Sequence, residues 1–483
     1  MVQEATAGRP RTAYGAKALK VEPFGIERIE DSERHGRPWK LLPFWFGANV
    51  SLFSFGVGFL GIAVLSLPVP LAIVGVVLGT ILGSIPFALL GILGPVTGYP
   101  QIAQSRSSFG RRGGYVPAAL NWFSTTGWSA VTFILGALAI TQVTHVPYVA
   151  AVALFAAIQI AVALFGHNLL HRFEQALSLV LAIVFIVMTT AAVPVAAYAP
   201  AGGDLAGVAF MTILAASIPI SWAPYASDFS RYLPRATSRR EVFLPAFLGM
   251  AVACVWVEIL GVLVTARLSP VSDPVAAFTN AFGVGYVGPL SVLLAVSLLA
   301  ANAPNLYSSG LSLLALDVPV RRWSSVLVGG VLATLLAAWG GASAVAFYQG
   351  WLFFVEYWIA PWAAIVLVSF FVFRRRGAEV EPDRAVRWGV PALAAYGFAI
   401  LAAVPFINRT PQFLGPISRT LGGLDLSNVV SFVLAGAIFY AVRTKQLRNA
   451  AARRAATASR GAGSGGQSGG TEKVARRREP REP

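Results

Sequence analysis

The sequence predicts an all-α integral membrane protein: twelve spanning helices, built as a 5+5 inverted repeat with discontinuous helices 1 and 6 and two peripheral helices at the end. Three observations predict this. Over half of the 483 residues are apolar and only 12% are charged, with the charges confined to tails and short connections. Apolar runs of about 20 residues, the length that crosses a bilayer, recur twelve times. The first and sixth runs are interrupted by polar and helix-breaking residues, as inverted repeats produce around a binding site at the membrane midplane.

The runs lie near 42–66, 69–93, 115–142, 147–166, 174–198, 206–227, 242–267, 284–316, 324–343, 350–373, 388–406 and 427–443. Repeat one covers about 41–198, repeat two about 206–374, and the last two helices about 388–443. The run at 284–316 exceeds one straight crossing and implies tilt, a break or an extension beyond the lipid. Basic residues alternate along the connections. They are rich in the amino-terminal tail (Arg28, Arg34, Arg37, Lys40), then at Arg106, Arg111 and Arg112, at Arg172, at Arg231 to Arg240, at Arg321 and Arg322, and at Arg374 to Arg376. The intervening connections carry few. This asymmetry predicts a multi-pass protein of the cell membrane with both termini cytoplasmic and 1–40 as a cytoplasmic tail. Those first forty residues are polar and basic without an apolar core, so no cleavable signal peptide is expected and the first span serves for insertion. The segment 444–483, rich in Ala, Gly, Ser and Arg, is expected to be disordered and drawn to anionic lipid headgroups.

The net charge of +16 follows from this topology, and no basic patch interleaved with aromatics points to nucleic acid. The single cysteine, Cys254, excludes an intrachain disulfide and a cysteine-rich metal site. His167 and His171 are four apart and followed by Glu174, but they lack a complete set of metal-ligand spacings and are assigned to a cytoplasmic turn. No phosphate-binding glycine loop and no enzyme signature is present, and no cofactor is expected beyond a coupling ion.

Ser217 to Arg231 is the stretch around which a site would form. Pro219 and Pro224 each remove a backbone donor, and lipid cannot satisfy the carbonyls so freed. Trp222 and Tyr225 offer flat surfaces, and Ser217, Ser221 and Ser227 small hydrogen-bonding groups; a Pro-kinked helix packed in a bundle is the competing account. The first run holds Gly47, Ala48, Asn49, Ser51, Ser54, Gly56 and Gly58, which fit either a broken helix or close packing through small residues. In the third run Trp128 and Thr132 share a helix face and pair with Trp222 as a possible ring sandwich, or serve as packing residues. Asn302 and Asn305 flank Pro304 in the eighth run; two amides at membrane depth donate and accept at once, as reading a nucleobase edge requires. Glu258 and Glu356 lie within apolar runs and are either proton carriers or neutral hydrogen-bonded groups. Asp228 and Arg231 are candidates for a paired gate latch, or a simple helix-end ion pair.

Several segments together resemble the nucleobase:cation symporter-1 family, in particular its purine and cytosine permease branch. They are Gly25 to Ile29, Gly94-Pro-Val-Thr-Gly-Tyr-Pro-Gln to Gly110, Trp222-Ala-Pro-Tyr to Tyr232, Ala301-Asn-Ala-Pro-Asn-Leu-Tyr-Ser308 and Tyr357 to Trp362. The resemblance covers nearly the whole chain apart from the tails. It implies a leucine-transporter-type fold and uptake of a nucleobase or related ring driven by protons or sodium, with Trp128 and Trp222 stacking on the ring and Asn305 bonding it. Asn302, Thr132 and Ser221 join that set from the residue reading. Two departures from the pattern matter. Thr132 stands where sodium-coupled relatives have Gln or Asn, and Leu299 and Ala300 stand where they have hydroxyls, leaving Ser297 as the nearby one. Protons are therefore preferred over sodium, although the carbonyls of Gly47 to Ser51, Ala48 and Asn49 among them, remain possible sodium ligands. A small heterocycle such as allantoin, a hydantoin or thiamine is the alternative cargo, with an amino-acid transporter or a passive channel further behind.

Overall fold

The computed structural model describes residues 22–165, 167–192, 205–268, 274–281, 283–340, 344–374, 381–409 and 412–464. Among these, twelve helical segments correspond to the twelve apolar runs. The first span is Leu41–Asn49 with Leu52–Ala63; the second to fifth are Val69–Gly91, Tyr115–Val143, Tyr148–Phe165 and His167–Ala192. The sixth is Leu205–Ser221 followed by a 3-10 turn at Ala223–Phe229. The seventh to twelfth are Arg239–Leu268, Val287–Ala315, Arg322–Gly340, Ala344–Val368, Val390–Ala403 and Ser427–Ser464. Strand pairing among the described residues is confined to a short hairpin, Asn408–Arg409 against Phe413–Leu414.

Both predicted breaks are present. The first span bends by 55° between its halves. There Val50 and Ser51 leave helical geometry, and Asn49 donates from Nδ2 to the Trp45 carbonyl (2.8 Å), a local bond that competes with helix continuation. The sixth span keeps its α-helix through Pro219 and breaks around Pro224, at Trp222 to Tyr225, where Tyr225 has φ −134° and ψ 16°.

Packing sorts the spans into two groups. Spans one, two, six and seven contact one another, as do spans three, four, eight and nine. The second member of each matched pair (one and six, two and seven, three and eight, four and nine) lies five positions after the first, the relation an inverted five-helix repeat requires. Glycine seams hold the first group together: a Cβ at Gly79 would lie 2.0 Å from the Thr212 carbonyl oxygen, and one at Gly58 would lie 1.9 Å from that of Glu258. Backbones approach this closely only where no side chain intervenes.

Two expectations need correction. The twelfth helix continues to Ser464, so residues 444–464 are helical; their Ala, Arg, Lys, Gln and Leu have high helix propensity, which a composition reading of disorder overlooks. The remainder of that tail, 465–483, and residues 1–21 lie outside the described residues. His167, His171 and Glu174 sit in the helix His167–Ala192 rather than in a turn, with His167 and Glu174 buried.

Candidate functional site

The two breaks face each other across a small cleft between the helix groups. Asn49, Ser51 and Phe53 line it from the first span, Trp128 and Thr132 from the third, Ser221, Trp222 and Tyr225 from the sixth, and Asn302 and Asn305 from the eighth. Its volume is about 30 Å³, room for roughly two waters. All six substrate-binding candidates of the sequence (Trp128, Thr132, Ser221, Trp222, Asn302 and Asn305) therefore meet in one place, together with Ala48 and Asn49 from the cation-coupling set.

Aromatic edges shape the walls. Trp128 meets Phe53 edge-on at 5.2 Å between ring centroids, and Trp222 meets Trp45 at 5.5 Å and Tyr225 at 5.3 Å in the same manner. Such edge-on packing holds both indoles in place. Thr132 and Ser221 each donate to a carbonyl of their own helix (Trp128, 2.8 Å; Ile218, 2.7 Å), so toward a ligand these hydroxyls act as acceptors.

The two amides are not equivalent. Asn305 Nδ2 donates to the Thr125 carbonyl (2.8 Å), Ser129 Oγ (3.0 Å) and Asn302 Oδ1 (3.0 Å), while its Oδ1 accepts from the Tyr225 hydroxyl (3.2 Å). The donors of that amide are saturated, and its Oδ1 keeps one acceptor site. Asn302 Oδ1 also accepts from Ser129 (3.2 Å), which orients the amide, and its buried Nδ2 has no partner among the described residues. A buried donor without a partner is costly, and at the wall of a cleft it is a ready group for a ligand acceptor.

The remaining candidates lie elsewhere. Ser297 donates to Leu294 (2.8 Å) and, with Ala300, belongs to the buried interior of the eighth span rather than to the cleft wall. Glu258 is fully buried between spans; Oε2 accepts from Thr80 of the second span (2.7 Å), and Oε1 has no partner among the described residues. It lies one turn beyond Cys254, which touches Asn49 at 3.6 Å and so links this region to the break. The Glu356 side chain lies outside the described residues.

The expected Asp228–Arg231 latch is not formed. Asp228 accepts from the Gln101 backbone N–H and the Ser308 hydroxyl (2.7 Å each), and Arg231 pairs instead with Glu22 (2.9 Å), both side chains fully buried. The 3-10 turn separates the two side chains, sending one to the loop after the second span and the other to the amino-terminal segment. In the sequence Glu22 and Gln101 carry no chemical signal of their own; the apolar flank Pro23-Phe24-Gly25-Ile26 is the sign that the segment around Glu22 packs.

Known proteins match this chain over most of its length. A family model described as permease for cytosine/purines, uracil, thiamine, allantoin matches residues 28–435. A putative purine-cytosine permease of Bacillus subtilis, YxlA, is 29% identical over 456 residues, 90% of this chain and 98% of that protein. Purine-cytosine permease fcyB of Emericella nidulans is 28% identical, covering 90% of each chain. Among solved structures, Mhp1, a nucleobase-cation-symport-1 family transporter in a closed conformation with bromovinylhydantoin bound, superposes with TM-score 0.70 at 18% identity, covering 88% of this chain and 96% of that one. The inward-facing conformation of Mhp1 gives 0.68 at 19%, covering 89% and 95%.

Proposed function

The chain belongs to the family of permeases for cytosine/purines, uracil, thiamine and allantoin, and from that premise we propose that it imports a nucleobase, cytosine or a purine-like ring, by proton symport through alternating access. It is a nucleobase-type membrane transporter of leucine-transporter fold and not an enzyme. In the proposal the ring enters from outside, lies against Trp128 and Trp222, and accepts a hydrogen bond from Asn302 Nδ2. Asn305 acts through Asn302, fixing its amide. The basic connections mark the cytoplasmic face of the plasma membrane. The observation that carries the reading is the lone Nδ2 of Asn302 at an aromatic cleft where two broken helices meet.

Proton coupling is supported by the groups buried around the cleft. Glu258 is a fully buried carboxyl with one oxygen lacking a partner, whereas Ser297, the hydroxyl nearest the sodium position of relatives, is spent on its own helix. Protonation of Glu258 would remove an intramembrane charge and bias the bundle toward the inward-open state.

Uptake of radiolabelled cytosine, adenine, hypoxanthine, uracil and allantoin, each with and without a protonophore, tests this. Saturable accumulation of at least one ring that collapses with the protonophore is expected. No saturable uptake of any of them overturns the cargo, and uptake that follows sodium instead overturns the ion.

A further inference from the structure

The segment ahead of the first span is built into the protein at the face carrying the basic connections. The Glu22 carboxylate, 2% exposed, accepts from Arg231 Nη2 (2.9 Å), from the Tyr307 hydroxyl (3.0 Å) and from the Tyr232 hydroxyl through Oε1, and from the His167 N–H (3.0 Å) through Oε2. Arg231 also donates to the Gly25 carbonyl (2.8 Å) and to Tyr307 (3.1 Å). Further along, Ile29 donates to the Gly98 carbonyl (3.0 Å), Arg34 to the Pro95 carbonyl (2.5 Å), and His35 to the Tyr232 carbonyl (2.6 Å). Phe24, Ile29 and Tyr232 form a small buried cluster beneath the segment.

One carboxylate thus ties together the ends of spans five, six and eight. Span six belongs to one helix group and span eight to the other, so the ties cross the seam that must part if the cleft opens at this end. Burial and the neighbouring Glu22 push the Tyr232 phenol up, so it remains a donor to the carboxylate. A fully buried pair holds only while both charges and their hydrogen bonds are present, and loss of one partner leaves an uncompensated charge.

We propose that residues 22–37 form a bolt across the basic end of the transporter, and that the cleft opens to that side only when Glu22 parts from Arg231. The inference rests on the alternating-access reading above. Its distinguishing consequence concerns which side opens, apart from any transported ring.

The readout is a cysteine placed on the cleft wall, Ala301→Cys in a Cys254→Ser background that stands as the wild type in the comparison, because Cys254, the single natural cysteine, is buried inside one helix group against Asn49 (3.6 Å) and Ser54 (3.9 Å). A membrane-impermeant maleimide is applied to the full chain in inside-out and right-side-out vesicles, without substrate. Compared are the wild type, Glu22→Gln, the double variant Glu22→Gln/Arg231→Gln, which leaves no orphaned charge, and Tyr307→Phe, which removes one hydroxyl. In inside-out vesicles Glu22→Gln and the double variant should label at least about tenfold faster than the wild type, with Tyr307→Phe between them, and right-side-out rates should not rise. Rates within twofold of the wild type in variants that run as a single peak on size exclusion overturn the bolt, as does acceleration from the outer side. If Glu22→Gln fails to fold, the double variant and Tyr307→Phe decide. Uptake by the wild type is scored separately, so failure of the cargo reading and failure of the bolt are distinguishable.

Discussion

Asn302→Ala separates recognition from architecture. Its Oδ1 accepts from Asn305 Nδ2 (3.0 Å) and Ser129 Oγ (3.2 Å), yet both donors have a second acceptor in the Thr125 carbonyl, at 2.8 and 2.9 Å. Truncation therefore strands neither donor, and the variant should fold. What it removes is the unpartnered Nδ2 that the proposal gives to the ring. Losing that donor leaves the ring's acceptor dry, at about 1–3 kcal/mol. At 1.4 kcal/mol per tenfold, binding should weaken roughly 5- to 150-fold. Titration calorimetry on purified protein with each ring that binds the wild type measures this, with a thermal melt on the same sample. Asn305→Ala is the contrast: it strands the Tyr225 hydroxyl and releases Asn302, so its melting temperature should fall as well as its affinity. A Kd for Asn302→Ala within about twofold of the wild type, for every ring tested, refutes the assignment of Nδ2.

Three further outcomes follow from the same geometry. Glu258→Gln retains the bond from Thr80 but cannot carry a proton, so ring binding and counterflow exchange should persist while accumulation driven by an inward proton gradient is lost; wild-type accumulation would rule Glu258 out as carrier. Gly58→Ala would place a Cβ 1.9 Å from the Glu258 carbonyl oxygen and should destabilise the protein by about 1–3 kcal/mol, whereas Gly397→Ala, with nothing within 4 Å, should not; equal melting temperatures would show that the seam yields. Burial alone would raise the Asp317 carboxyl, but hydrogen bonds from Tyr115 and Arg106 and the charges of Arg106 and Arg111 outweigh it and hold the group below the ordinary carboxylate range. Its contribution is therefore present above about pH 4, the unfolded value, and is lost as pH falls through the depressed one. Asp317→Asn, compatible with the positive φ of 56° there, should narrow its stability gap to the wild type on acidification, and a gap constant from pH 7 to 3 would contradict the sign.

Much of this was legible in the residues because lipid enforces simple rules. Twelve apolar runs became twelve helices, and both breaks fell in the runs whose Gly, Asn, Ser and Pro made them weak, since a backbone freed at membrane depth must find partners in protein. Trp128, Trp222, Asn302 and Asn305 were legible as aromatic or amide groups inside such runs. The division of labour between the two amides was not, because it depends on Ser129 and the Thr125 carbonyl of the third span, 180 residues before Asn305 in the latter case. Arg231 was assigned to the nearest acid in sequence, three residues off, when its partner lies 209 residues away. Ion pairs are selected by fold, and sequence distance carries little information about them outside a helix face.

The placement of glycines and of polar side chains divides the protein mechanically. Within a helix group the tightest contacts are backbone to backbone: Gly79 on Thr212, Gly58 on Glu258, Gly249 on Leu42, with constructed Cβ distances of 2.0, 1.9 and 2.4 Å. Sliding one of these helices past another would drive side chains into main chain, so the group moves as a body. Between groups the ties near the site are side-chain hydrogen bonds: Tyr225 to Asn305, Ser308 to Asp228, and Tyr307 with both Glu22 and Arg231. The neutral one is worth about 0.5–1.5 kcal/mol net and those to charged groups about 1.5–3, and each can be exchanged for water as a cleft opens. A sequence that spends its glycines inside the groups and its exchangeable hydrogen bonds between them favours rocking of one rigid group against the other, about the seam where the two breaks meet.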